Sequence, residues 1–267
     1  MRGEFVDIGG TRLYYYAAGS RGSGAPVLLI HGFATSGHLW RQVVPSIPEG
    51  HRVIAVDLAG HGRSETATTG NCSPAAHAAL LLGLLDDLSS GPVHVAAHGF
   101  GCEIALALAA EPSRVISALL VSPAGLDQRS PSVPALHSTT ALALQLPWGA
   151  LGTGLLQRHL ARGYASSATA AHSLPRHLQW FRDRGRRASL VAQLDALSRQ
   201  RAAVTTLEYP FEIVVGGGDP FVSPRRVSAR FLAPSRGTLT MLGAERHFLP
   251  EEAPDTIARL LGRLLEH

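Results

Sequence analysis

The chain has 267 residues, 24 cationic and 20 acidic side chains and a formal charge of +4, a length that suits one large α/β domain or a core with a small insertion. Two cysteines, Cys72 and Cys102, are too few for a disulfide framework, and no apolar run approaches the roughly 18 residues of a membrane span. Every lysine-or-arginine position is arginine; these are spread out and lack an aromatic-basic recognition module, which argues against nucleic acid as a partner. Lysine-free composition with heavy Ala, Gly and Pro use fits a GC-rich genome. The N-terminus opens on a polar strand pattern instead of a basic-then-apolar signal segment, so the expectation is a soluble, cytoplasmic protein. Monomer and dimer are both compatible with the sequence.

In chain order, Glu4 to Ile8 and Thr11 to Ala17 alternate around Gly9-Gly10, a two-residue hairpin signal. Pro26 to Ile30 is a short apolar run of the buried-strand type. Strands and helices then take turns: Arg52 to Val56 strand, Pro74 to Asp87 helix, Pro92 to Ala97 strand, Phe100 to Ala110 helix, Val115 to Val121 strand. Phe211 to Val215 and Thr238 to Leu242 are later strands, and an amphipathic helix from about Glu251 to Leu265 closes the chain. A hairpin followed by βαβ units predicts a mostly parallel sheet covered on both faces.

Between about Leu126 and Leu207 the pattern turns helical, punctuated by Pro131, Pro134, Pro147, Gly163 and Pro175. This reads as a helical cap over 126–207, inserted into a core formed by 1–125 and 208–267. Trp148, Trp180, Phe181 and the cluster Arg182-Asp183-Arg184-Gly185-Arg186-Arg187 give the cap aromatic and cationic groups that can roof a pocket. The plainer reading is a solvated arginine face with tryptophans anchoring helices.

The run Val93-His94-Val95-Ala96-Ala97-His98-Gly99-Phe100-Gly101-Cys102 is a buried strand, a sharp turn and a helix start, with small residues two before and two after the apex. That is the pattern of a nucleophile elbow, in which a strained turn exposes a Ser, Cys or Asp above the sheet. Here the apex is Gly99, which carries no side chain. Cys102, one helical turn beyond, is expected to point into helix packing.

With His31-Gly32-Phe33, Asp57-Leu58-Ala59-Gly60-His61-Gly62-Arg63-Ser64, the elbow at Gly99, Gly216-Gly217-Gly218-Asp219-Pro220 and His247-Phe248-Leu249-Pro250 in this order, the chain resembles the α/β-hydrolase superfamily. It is similar to the capped kind that includes meta-cleavage carbon-carbon hydrolases, haloalkane dehalogenases and small-molecule esterases. The resemblance runs essentially end to end and implies an eight-stranded, mostly parallel sheet flanked by helices.

Asp219 and His247 each follow a strand, so both should emerge at the carboxyl edge of the sheet above Gly99. Their order after the elbow matches the superfamily's. Asp219 is expected to fix the His247 tautomer and leave the other nitrogen free to move a proton; Asp127 is the alternative acid. The resemblance implies an oxyanion hole from the backbone N-H groups of Phe33 and Phe100. His31, Gly32, His98 and Phe248 should border the pocket with the cap aromatics, although His31, His98 and His61 also read as packed structural histidines. Glu245 and Arg246 stand where many relatives carry small residues, so the histidine loop is expected to be reshaped.

Without an apex side chain there is no acyl-enzyme intermediate. The favoured reading is a cofactor-independent, metal-free enzyme that uses the His247-Asp219 pair for proton transfer, cyclisation, conjugate addition or elimination on a carbonyl-bearing small molecule, polyketide-like and from natural-product biosynthesis. An ester or carbon-carbon hydrolase whose serine is replaced by Gly99 or by a histidine-activated water is the alternative. A ligand-binding or resistance protein that kept the pocket is a third.

Overall fold

The computed structural model describes residues 2–19, 22, 24–67, 70–123, 140, 144, 150–199, 207–225, 227 and 237–266. Its centre is an eight-stranded sheet of β1 (Arg2–Ile8), β2 (Thr11–Ala18), β3 (Val27–Ile30), β4 (Val53–Asp57), β5 (Val93–His98), β6 (Val115–Val121), β7 (Phe211–Gly216) and β8 (Thr238–Leu242). The spatial order is β1-β2-β4-β3-β5-β6-β7-β8. β1, β2 and β4 pair antiparallel, and every pairing from β4 onward is parallel. The hairpin expected at Gly9-Gly10 is present, with Ile8 opposite Thr11.

The central strands are buried at every position, which is why they read as continuous apolar runs. Helices α1 (Pro74–Asp87) and α2 (Phe100–Leu108) pack on one face and share an apolar cluster with Leu28, Ile54, Val95 and Leu120. Helix α1 starts where its sequence dictates: Ser73 Oγ accepts the Ala76 amide at 3.2 Å, and Pro74 occupies the first turn, where no N-H is needed.

Among the described residues between β6 and β7 are the helices α3 (Ala150–Ala161), α4 (Ser167–Leu178) and α5 (Arg184–Arg199). Leu156, Leu160, Tyr164, Leu174, Leu178, Phe181 and Leu190 from this stretch join the same apolar cluster as Leu29, Trp40, Val121 and Phe248. These helices therefore share one apolar cluster with residues of β3 and β6, the segment after β3 and Phe248.

At the C-terminus the structure differs from the single helix read in the sequence. It has two, α6 (Leu249–Glu252) and α7 (Pro254–Leu265), broken at Ala253 with φ −138° and ψ 52°. Ala253 precedes Pro254, whose ring disfavours helical backbone at the residue before it. Helix α7 buries Ile257, Ala258, Leu260, Leu261 and Leu264, the stripe that gave it away in the sequence.

The ends of the parallel strands determine what meets at one edge. β3 leads into His31-Gly32-Phe33, β5 into Gly99, β7 into Asp219 and β8 into His247, so these segments emerge at the carboxyl edge together.

Candidate active site

Gly99 sits between β5 and α2 with φ 55° and ψ −118°, a backbone state that side chains rarely adopt, and its amide donates to the Val121 carbonyl at 3.0 Å. Gly101 allows strand and helix to close: a Cβ there would come within 2.6 Å of the His31 carbonyl oxygen and 2.8 Å of the Ile30 carbonyl oxygen. At position 99 the opposite holds. A Cβ would lie 3.5 Å from His247 Nε2 and 3.6 Å from Gly32 Cα, ordinary contact distances.

His247 Nδ1 and Asp219 Oδ2 are 2.8 Å apart, with the aspartate side chain wholly buried and the histidine's 9% exposed. Asp219 Oδ1 is already engaged, accepting the backbone N-H of Phe221 at 2.8 Å and of Val222 at 3.1 Å. An ionised aspartate only accepts, so Nδ1 carries the proton of the shared bond. The other ring nitrogen, Nε2, faces position 99.

Three rings bound the imidazole of His247: Phe221 at 5.1 Å, Phe248 at 5.2 Å and His98 at 4.8 Å between centroids. His98 Nε2 donates to the His247 carbonyl oxygen at 3.1 Å. Burial, and then the neighbouring His247, push the His98 ring well below the usual histidine range, so it stays neutral. Phe248 is buried and stacks on Tyr164 with centroids 4.3 Å apart.

His31 has both ring nitrogens engaged: Nδ1 donates to the Gly32 carbonyl at 2.8 Å and Nε2 accepts the Leu58 amide at 3.0 Å. Burial lowers its pKa to about 3, so it braces the turns after β3 and β4 as a neutral ring. Phe33 is partly exposed in this turn. Phe100 opens α2, where a first-turn N-H has no intrahelical acceptor.

Phe181 is fully buried with its ring 5.6 Å from His61. Trp180 is half-buried, with the Arg186 guanidinium 6.0 Å from its ring centroid. Arg186 also donates to the carbonyls of Gly62 at 2.8 Å and Ser64 at 2.7 Å, so this member of the arginine cluster ties α5 to the turn after β4. Trp148 and Asp127 lie outside the described residues. Cys102 Sγ faces the Ala97 carbonyl at 3.2 Å, and burial pushes its thiol well above the usual range. Among the described residues no group of three His, Cys, Asp or Glu side chains could hold a metal ion. No described helix is long and apolar enough to cross a membrane.

Sequence reading missed one group around the dyad. Glu251 accepts from Tyr164 Oη at 2.6 Å and from His177 Nε2 at 3.2 Å, all three side chains being buried. Partners 87 and 74 residues apart leave no local spacing to read.

The chain belongs to the α/β-hydrolase fold family, whose sequence model matches residues 25–252. It is 35% identical over 125 residues to the dihydrolipoyllysine-residue acetyltransferase component of the acetoin cleaving system of Pseudomonas putida, covering 46% of this chain and 33% of that protein. Over 124 residues it is 41% identical to a non-heme chloroperoxidase of Streptomyces lividans, covering 45% of this chain and 44% of that one. The matched segments thus span less than half of these relatives, which are enzymes. Among solved structures, the epoxide hydrolase CorEH superposes with a TM-score of 0.81 at 21% identity, covering 99% of this chain and 98% of that one. MGS-M2, an α/β-hydrolase enzyme from a deep-sea metagenome library, gives a TM-score of 0.85 at 14% identity, covering 99% and 98%. These likenesses establish the shared fold.

Proposed function

We propose that the protein is an acid-base enzyme that works without a covalent intermediate. The observation carrying this reading is that His247 Nε2 is aimed at an elbow apex, Gly99, that has no nucleophile. Neutral His247 takes a proton from a carbon next to a substrate carbonyl, Asp219 stabilises the imidazolium through Nδ1, and the enolate oxygen is held by the Phe33 and Phe100 N-H groups. Returning the proton to carbon or to a leaving group completes an isomerisation or elimination. Attack of the enolate on an internal electrophile gives cyclisation or conjugate addition, which suits a polyketide-like carbonyl compound. Residues 126–207 act as the cap over this site, on a core of 1–125 and 208–267. Gly99 then stands where catalytic relatives of this fold carry a nucleophile.

The test follows deuterium uptake from D2O at the α-carbon of phenylacetone, alongside release of p-nitrophenol from p-nitrophenyl acetate. The native chain should catalyse exchange, His247→Ala should abolish it, and mass spectrometry should find no acyl adduct. An acyl adduct on the native chain, or exchange that survives His247→Ala, overturns the reading.

One observation favours a second reading. A Cβ at position 99 meets nothing closer than 3.5 Å, so the apex does not crowd His247 Nε2, and in this reading a water hydrogen-bonded to Nε2 beside the apex is activated for ester or carbon-carbon bond hydrolysis. Burst-free, His247-dependent hydrolysis without α-carbon exchange would select it.

A further inference from the structure

The end of the loop that carries His247, and the short helix α6 that follows it, are bound to the inserted helices at the turn between α3 and α4. The Gly163 carbonyl accepts the backbone N-H of His247 at 2.8 Å and that of Phe248 at 3.2 Å. One residue before His247, the Arg246 guanidinium donates to the carbonyls of Arg162 at 3.1 Å and Tyr164 at 3.2 Å. Downstream, Glu252 Oε1 accepts the amides of Ala165 at 2.7 Å and Ser166 at 2.8 Å. Between these, Glu251 reaches Tyr164 and His177 in a buried site.

The chemistry of that buried group favours a fixed geometry. Burial pushes the Glu251 carboxyl up, but hydrogen bonds from His177 and Tyr164 outweigh it and hold the group below the ordinary range, as a carboxylate. Burial and the adjacent carboxylate push the Tyr164 hydroxyl far up, so it remains a donor. Tyr164 also stacks on Phe248, whose ring abuts His247. Moving the 162–166 turn therefore moves the backbone and one aromatic wall of His247 together.

We propose that Arg246, Tyr164, Glu251 and Glu252 form a latch in which the inserted helices set the orientation of His247, making these four positioning residues for its chemistry. The unusual Arg246 thereby gains a role: it is the exposed end of the latch, holding the cap turn from the core side. A side chain fixed by packing and by hydrogen bonds from a supporting shell keeps its productive geometry, whereas a loosely held one loses it. The proposal rests on His247 being the working base only for its effect on rate.

Two substitutions test it. Tyr164→Phe removes the bond to Glu251 and keeps the stack on Phe248, while Arg246→Ala removes the exposed end and leaves the core untouched. In each, the His247 and Phe248 amides should exchange with solvent about tenfold faster or more, and the downfield proton resonance of His247 Nδ1-H should shift or broaden. Phenylacetone exchange should fall roughly 10-fold to 100-fold in kcat with KM nearly unchanged, as for a sub-ångström to ångström misplacement of a catalytic group. Arg246→Lys should restore part of the loss. Variants that unfold cooperatively, with both amides and the Nδ1-H resonance as in the native chain, overturn the latch. Should Tyr164→Phe fail to fold, Arg246→Ala decides alone. The two NMR readouts need no substrate, so a failed acid-base reading leaves them intact, and a failed latch leaves the His247→Ala result intact.

Discussion

His247 Nε2 stands 3.5 Å from the point where a Cβ on Gly99 would lie. An imidazole held by Asp219 is thus aimed at an apex that carries no side chain. The elbow's backbone nonetheless keeps a conformation in which any side chain would be strained, φ 55° and ψ −118°.

Gly99→Ser should therefore place a hydroxyl within reach of Nε2. The variant is expected to hydrolyse p-nitrophenyl acetate with a burst and to form an acyl adduct visible by mass spectrometry. It should also lose about 1–3 kcal/mol of stability in urea titration, because a side chain at positive φ stores strain that glycine does not. Unchanged stability together with no burst would contradict the apex geometry.

Asp219→Asn should invert the tautomer of His247. Asp219 Oδ1 already accepts two backbone N-H groups, so an asparagine places its oxygen there and turns its NH2 toward His247 Nδ1. The imidazole must then accept at Nδ1 and carry its proton on Nε2, facing Gly99. His247-dependent exchange should fall by about 10⁴, the scale seen when the triad aspartate of a serine protease is so changed. Circular dichroism should be native-like, and 15N spectra of the ring nitrogens check the tautomer directly.

The architecture was legible because each strand end carries its own signal. Val115–Val121 and Thr238–Leu242 coincide with the runs read in the sequence, and α1 spans the residues between its Ser73 cap and Asp87. Asp219 and His247 could be paired because both follow strands of one parallel sheet. The break at Ala253 was concealed by the apolar stripe of α7, whose periodicity outweighed the one proline that interrupts it. Glu251, Tyr164 and His177 were not legible, since a buried hydrogen-bonded group assembled from two distant segments has no period or spacing. Arg186 read as part of a solvated arginine face or a cationic pocket roof; its carbonyl partners, Gly62 and Ser64, come from a turn more than 120 residues away.

Gly101→Ala should be more damaging than its position in a helix suggests. In an open helix alanine would be favoured over glycine by about 1 kcal/mol. Here the new methyl meets two backbone oxygens at 2.6 and 2.8 Å, and backbone cannot swing aside as a flexible side chain can. The expected outcome is a net loss of roughly 1–3 kcal/mol from overpacking, read from the urea midpoint, together with a shift in the amide resonances of His31 and Gly99. A gain in stability would place α2 further from β3 than described.

Acid should destabilise the fold starting from about pH 6.5, through histidines that are buried neutral. Burial lowers His31 to about 3, and His77 and His94 to about 4, from an ordinary 6.5. Their folded-state values lie below the unfolded one, so the unfolded chain binds more protons across that window and stability falls as pH drops. Asp57 works the other way: burial raises its carboxyl to about 6 from 3.8, despite backbone N-H bonds from Arg63 and Gly37, so it favours the folded state as pH falls from 6 toward 3.8. Three histidines outweigh one aspartate in the shared range, leaving a net loss. Each such histidine contributes a slope of about 1.4 kcal/mol per pH unit between its two pKa values. His77→Gln should accordingly flatten the slope of unfolding free energy between pH 4.5 and 6 (about one proton's worth), measured by urea titration at each pH. A slope identical to that of the native chain would mean that His77 is protonated in the folded protein.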